Sequence, residues 1–103
     1  MTPPQGWRNP INVGPGGVQA GIDPALLLPS RHDLVRQRLE FQRSLTKAGQ
    51  SRFTPVLVTP DGVIFDGHHA VRAAVEEGKT VDVQVVGISI QSVASSILSL
   101  PIR

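Results

Sequence analysis

Proline and glycine crowd the start of this chain and decide where regular structure can begin. The first thirty residues contain six of the nine prolines and five of the ten glycines. Proline lacks a backbone N–H and glycine weakens helices and strands, so this density predicts an irregular arm over residues 1–16. Ser30 with Asp33 is typical of a helix N-cap and its capping box, and neither proline nor glycine follows before residue 49. We therefore predict a long helix over residues 30–48.

A chain of 103 residues has room for one domain with one hydrophobic core. We assign residues 17–103 to that domain. The chain has no cysteine, which excludes disulfides, thiolate nucleophiles and cysteine-ligated metal centres. No apolar run approaches the roughly 20 residues that a membrane-spanning helix needs, so we expect no membrane partner.

The spacing of apolar residues predicts a small α+β fold around a mixed sheet of about four strands. The long helix has an apolar face that we expect to lie on the sheet, and a short helix follows the sequence Asp-Gly-His-His. A Pro-Asp-Gly turn between two strands predicts a hairpin. The apolar face consists of Leu34, Val35, Leu39, Phe41, Leu45 and Ala48; the strands are residues 17–22, 55–59, 63–65 and 81–86; the further helices are residues 70–77, capped by Gly78, and residues 89–100.

Positive charge is concentrated in the predicted long helix and just after it. Residues 31–52 hold six basic side chains, Arg52 among them, against two acidic ones, although the whole chain carries a net charge of only +2. Arg36, Arg43 and Lys47 share a stripe of the helix. Two interpretations stay open: a solvated face with i,i+4 ion pairs, which we favour, or a surface for nucleic acid. Aromatic residues that could stack on bases are nearly absent, at 4% of the sequence.

The stretch from Phe65 to His69 combines titratable side chains with a glycine where a strand passes into a helix. The first turn of a helix presents backbone N–H groups and a partial positive charge, and glycine lets an anion approach closely. We therefore predict a phosphate site at Gly67, His68 and His69. Arg72 lies four residues after His68 and so shares its helix face.

Asp66 has two interpretations that do not require a phosphate. It could cap the short helix by accepting its first N–H groups, or it could join the adjacent histidines around a metal ion. The histidines lack the i,i+4 spacing of a zinc-protease helix, so we assign no metal ligands. A divalent metal as cofactor stays open.

Three motifs lie between residues 54 and 86: Pro-Val-Leu-Val, Val-Ile-Phe-Asp-Gly-His-His, and Glu-Glu-Gly-Lys-Thr-Val-Asp-Val-Gln-Val-Val. Together they resemble the superfamily of ParB-like nucleases and sulfiredoxins. The resemblance extends back through the long helix to residue 22. It implies a ParB/sulfiredoxin-like fold in which Gly67, His68 and His69 bind nucleotide phosphates or a nucleic-acid backbone.

The resemblance also implies chemistry on phosphodiesters. The chain is similar to the small single-domain branch of the superfamily, which implies a nuclease, that is, a hydrolase of nucleic acid. As a bacterial toxin or effector module, such a nuclease would have a cognate immunity protein as a partner. His68 or His69 would act as general acid or base, and Arg72 would stabilise developing charge. Ala70 stands where many relatives have an arginine, and the missing cysteine excludes sulfiredoxin chemistry.

Two alternatives to a nuclease stay open, and so does the question of whether the chain is an enzyme. The first is a nucleotide-binding or phosphotransfer module of the same fold, and the second is a catalytically inert interaction module. In the first case the partner is a nucleotide, and for a nuclease it is a nucleic acid. We expect a cytoplasmic protein or, for an effector module, one that is delivered or secreted.

Overall fold

The computed structural model describes residues 5–50 and 55–103 and shows a four-stranded mixed sheet with two α-helices. The predicted small α+β fold is confirmed. None of the helices within these two ranges is long and apolar enough to cross a membrane. Residues 1–4 of the predicted arm, Arg52 and Thr54 lie outside the described ranges. In chain order the elements are β1 (Val18–Ile22), α1 (Arg36–Lys47), β2 (Val56–Val58), β3 (Ile64–Asp66), α2 (His68–Glu77) and β4 (Val81–Val85).

The sheet has the strand order β1-β4-β2-β3. Strands β2 and β3 form the predicted antiparallel hairpin, and β1 pairs antiparallel with β4. The central strands β2 and β4 run parallel, with Val56 opposite Val83 and Val58 opposite Val85. A parallel pair needs a crossover connection, which β3 and α2 supply here. Strand β3 lies at the edge of the sheet, and α2 begins directly after it.

A hydrophobic core joins the sheet, both helices and the loops around them. Leu27 and Leu28, in the turn before α1, are buried, and Val71 of α2 has no exposed surface. Burial of a leucine or valine side chain contributes about 1.5–3 kcal/mol relative to leaving it in water. The core consists of Ile11, Ile22, Leu27, Leu34, Leu39, Val56, Val58, Ile64, Val71, Val83, Val85, Ile97 and Leu100.

Helix α1 begins at Arg36, six residues later than predicted. Val35 occupies the N-cap position and makes no side-chain hydrogen bond to the helix, so the predicted capping box of Ser30 and Asp33 is wrong. Residues 30–35, which we call the lead-in segment, instead place their backbone groups in contacts with distant parts of the chain. Those contacts replace the bonds that a longer helix would have made.

The last residues of the chain supply some of these contacts. Leu34 N–H donates to the Pro101 carbonyl at 2.9 Å, and Arg103 N–H donates to the Leu34 carbonyl at 2.8 Å. Arg36 N–H, the first of the helix, donates to the Arg103 carbonyl at 2.7 Å. Helices leave their first N–H groups without intrahelical acceptors, so this carbonyl satisfies one of them in place of a side-chain cap.

The buried face of α1 is narrower than the sequence predicts. Leu39 is fully buried, but Phe41 is 62% exposed and Ala48 is exposed as well. The prediction that both belong to the apolar face is therefore wrong. The helix packs mainly against α2 and not flat on the sheet, so fewer of its positions are covered.

Residues 5–16 form no helix or strand, yet they pack on the rest of the chain. The Trp7 indole N–H donates to the Leu26 carbonyl at 2.7 Å, and the Asn9 amide donates to the Pro60 carbonyl at 2.8 Å. Ile11 is buried in the core. Residues 5–16 are thus held against the fold by side-chain hydrogen bonds and by the burial of Ile11.

The predicted helix over residues 89–100 is wrong. A single 3₁₀ turn, Ile97–Ser99, is present there. The Ser96 hydroxyl accepts from Leu98 N–H at 3.1 Å, and the Ser99 hydroxyl donates to the Ser96 carbonyl at 2.7 Å. Serine side chains that bond to nearby backbone compete in this way with helix formation.

Two neighbouring apolar residues of α1 test this description. Leu39→Ala removes a fully buried side chain and is expected to lower the free energy of unfolding by about 2–5 kcal/mol. Phe41→Ala removes an exposed ring and is expected to change it by less than about 0.5 kcal/mol. Urea unfolding followed by circular dichroism measures both. Equal losses in the two variants would contradict the observed orientation of α1.

Candidate functional site

The junction between β3 and α2 has a tight left-handed turn at its centre. Gly67 is the N-cap of α2, with φ 108° and ψ 22°, a conformation that side-chain-bearing residues rarely adopt. Asp66, the last residue of β3, precedes this N-cap position. The first intrahelical bond runs from Val71 N–H to the Gly67 carbonyl at 3.0 Å. By helix geometry, the N–H groups of residues 68–70 have no intrahelical acceptor.

The two histidines after Gly67 hold the lead-in segment in place. The Ser30 N–H donates to Nε2 of His68 at 2.9 Å, and the Val35 N–H donates to Nε2 of His69 at 3.0 Å. The Ser30 hydroxyl donates to the Ile64 carbonyl at 2.5 Å. Because each Nε2 accepts a hydrogen bond, each neutral ring carries its proton on Nδ1.

Both imidazoles are buried, and burial lowers the pKa of each. Burial brings the pKa of His68 to about 4, and the nearby Arg31 and His69 add to this effect, while Asp66 opposes it. Burial also lowers the pKa of His69, with help from Arg31 and Arg38 and against Asp33. At neutral pH the histidines are uncharged and their Nε2 atoms are occupied. The geometry therefore supports positioning roles and does not support proton transfer at Nε2.

A cavity of about 680 Å³ lies between α1 and the β3–α2 junction. One face of α1 lines it with residues 37, 38, 41 and 42, which lie on neighbouring turns of the helix. From the junction it receives the predicted phosphate-binding residues. The lining consists of Arg31, Gln37, Arg38, Phe41, Gln42, Phe65, Asp66, Gly67, His68, His69 and Ala70.

The cavity is basic because of two arginines that the sequence analysis did not single out. Arg31 is held by Asp33: its Nε donates to the Asp33 carbonyl at 3.1 Å, and its guanidinium lies 3.7 Å from the Asp33 carboxylate. Within residues 5–50 and 55–103, Arg38 makes no hydrogen bond or ion pair. Asp66 brings one carboxylate to the lining, against the two guanidinium groups.

Arg72 does not reach this cavity. Its Nε donates to the Glu76 carboxylate at 2.9 Å, and its guanidinium lies 3.4 Å from the Ile97 carbonyl. Arg72 lies one helical turn after His68, but its guanidinium lies against the loop around Ile97. The predicted catalytic role of Arg72 therefore has no support in this geometry.

The predicted basic stripe of α1 also lies away from the cavity. Arg43 donates to both oxygens of Glu76 at 2.7 Å and also pairs with Glu40, which raises the pKa of Arg43 and brings the pKa of Glu76 to about 2. This network bridges α1 and α2. Arg36 and Lys47 are exposed and do not contribute to the lining.

No group of three or more His, Asp or Glu side chains within the described ranges is arranged to hold a metal ion. Asp66 and the two histidines adjoin in sequence, but both Nε2 atoms accept backbone hydrogen bonds. These nitrogens would have to give up those bonds before they could bind a metal.

No protein-family model matches this chain, and no curated protein or solved structure is significantly similar to it. The resemblance to ParB-like nucleases and sulfiredoxins therefore stays a prediction.

The buried histidine predicts a particular pH dependence of stability. An unfolded histidine has a pKa near 6.5, whereas that of folded His68 is about 4. Between these values the unfolded chain binds the extra proton, so stability is greatest above pH 6.5 and falls as the pH drops. His68 alone is expected to remove about 2 kcal/mol between pH 7 and pH 5.

Chemical unfolding at several pH values measures this loss in the wild type and in His68→Gln. Glutamine offers an acceptor near the position of Nε2 but does not titrate, so the variant should show a much shallower pH dependence. His32→Gln is the matched control, because His32 is exposed in the same lead-in segment. A wild-type stability that is flat from pH 7 to pH 5 would contradict the assigned role of His68.

The bridge between the helices gives a second stability test. Glu76→Gln weakens the contacts with Arg43 and Arg72 and should lower the free energy of unfolding by about 1 kcal/mol. The neighbouring exposed Glu77 serves as control, and Glu77→Gln should stay within about 0.5 kcal/mol of the wild type. Thermal unfolding at pH 7 compares them, and equal losses would show that the bridge contributes nothing specific.

Proposed function

We propose that the cavity binds a phosphate group of a nucleotide or a nucleic acid. The observation that carries this proposal is Arg38, which has no ion pair in the described part of the chain and lies on the same cavity as the first turn of α2. A guanidinium can bind phosphate oxygens with two N–H groups at once. The helix start adds further N–H donors and a partial positive charge.

The position of Arg31, the second guanidinium of the cavity, is set by the folded chain before any ligand binds. Arg31 belongs to the lead-in segment, between Ser30 and Val35, which the two histidines hold through their Nε2 atoms. The carbonyl of Asp33 also orients its guanidinium. Donors that are fixed in advance lose less conformational entropy on binding, which favours affinity.

The size of the cavity favours a ligand larger than a phosphate ion. Its volume of about 680 Å³ falls within the range of roughly 300–1,000 Å³ that is typical of small-molecule and cofactor sites. Beside the basic residues, polar and aromatic side chains also line it. This supports a phosphate that is esterified to a larger group.

Phosphodiester cleavage stays a prediction and is not part of this proposal. A nuclease needs a bound phosphate, which the cavity offers, and a proton-transfer group, which the two histidines do not offer at Nε2. The toxin or effector context and a cognate immunity protein also stay predictions, because no contact within the described residues bears on them.

Arg38→Met tests phosphate binding. With a labelled single-stranded ten-nucleotide DNA in low salt, fluorescence anisotropy should show about tenfold weaker binding, because one charge-assisted phosphate contact is lost. The salt dependence of the binding constant should also become shallower by about one phosphate contact.

Arg36→Met is the matched control, since it removes the same charge from the same helix outside the cavity. It should weaken binding much less. Equal effects of the two substitutions, or no binding by the wild type, would refute the proposal. Gel analysis of the same mixtures with and without Mg²⁺ reports whether the bound strand is also cut.

A further inference from the structure

Two phenylalanines are exposed on the same cavity. Phe41 of α1 is 62% exposed and Phe65 of β3 is 46% exposed, although apolar rings of this size are usually buried. Both line the basic cavity, and they come from different elements of the fold. Packing in the hydrophobic core does not account for these two exposed rings beside the arginines of the cavity.

The α1 side of the cavity presents a cation and an aromatic ring together. Arg38 and Phe41 are three residues apart, so their side chains start about 5–6 Å from each other on the same helix face. A nucleotide has a similar arrangement, with a charged phosphate at one end of a ribose and a flat base at the other. One ligand can therefore contact both side chains.

Two amide side chains line the same cavity as these rings. Gln37 and Gln42 belong to the same face of α1 and line the cavity with Phe41. A side-chain amide has both a hydrogen-bond donor and an acceptor, which is the combination that the edge of a nucleobase requires. A purely anionic ligand would have no use for the acceptor.

We propose that Phe41 and Phe65 stack on an unpaired nucleobase whose phosphate lies against Arg31, Arg38 and the first turn of α2. The site then takes single-stranded nucleic acid and discriminates against a duplex. This inference rests on the proposed phosphate-binding function and adds the class of ligand.

The preference for a single strand follows from access to the base. In a duplex each base is stacked on both faces and paired at its edge, so a protein ring reaches it only after the base is extruded. In a single strand the face is open, and each aromatic contact strengthens binding by between about fivefold and a hundredfold. Because every base has such a face, we expect little dependence on sequence.

Three labelled probes of equal length separate the base from the backbone: single-stranded DNA, the same strand in a duplex, and a strand of abasic sites. The wild type should bind the single strand at least tenfold more tightly than the abasic strand or the duplex in matched salt. Fluorescence anisotropy gives all three affinities.

Phe41→Leu and Phe65→Leu remove the aromatic face but keep an apolar side chain. Each should weaken binding of the single strand by at least fivefold and leave binding of the abasic strand unchanged. Leu98→Ala is the control, because Leu98 is 51% exposed outside the cavity, and it should change neither affinity. Thermal unfolding confirms that each variant is folded.

The outcomes distinguish the two proposals. Equal affinity for the single strand and the abasic strand, equal affinity for the duplex, or no effect of the leucine variants overturns the stacking inference. In those cases, a loss of abasic-strand binding in Arg38→Met still supports phosphate binding. If Arg38→Met binds the abasic strand as the wild type does, phosphate binding fails, and the stacking inference fails with it.

Discussion

The candidate site depends on two hydrogen bonds from backbone N–H groups to histidine side chains. Ser30 and Val35 donate to the Nε2 atoms of His68 and His69, and these bonds tie the lead-in segment to the start of α2. That attachment holds the segment leading into α1 against the β3–α2 junction, so it brings the α1 side of the cavity next to the start of α2. The histidines shape the cavity by accepting protein hydrogen bonds, while other residues offer the charge.

Most of the fold could be predicted because its signals are local. The hairpin of β2 and β3, the strand β4 and the end of α2 at Gly78 each follow from a few adjacent residues. The start of α1 could not be predicted in this way. A side-chain cap was expected at Ser30, but backbone donors there bond to residues about 35 or more positions away, which no local pattern reveals.

Only the α2 side of the candidate site was predicted from the sequence, and the α1 side was missed. Gly67, His68 and His69 were identified because a glycine and two histidines at a helix start are a local signal. Arg38 and Phe41 were missed, since the face of α1 was assigned from apolar spacing, which placed Phe41 in the core. The packing of α1 against α2 leaves the face with Arg38 and Phe41 exposed. The available signal in the sequence was an arginine followed three residues later by a phenylalanine, which places a charge and an aromatic ring on the same helix face.

The pairing of the last three residues with the start of α1 links the cavity to the whole length of the chain. The Arg103 carbonyl accepts a hydrogen bond from Arg36 N–H, and the Arg103 guanidinium forms an ion pair with the Asp33 carboxylate. The carbonyl of the same Asp33 orients the guanidinium of Arg31. The walls of the cavity are therefore assembled from contacts that are distant in sequence, as is the pairing of β1 with β4 in the sheet. Ligand binding would then report on the native arrangement of the whole described fold, since the lead-in segment, α1 and the β3–α2 junction must all be in place to form the cavity.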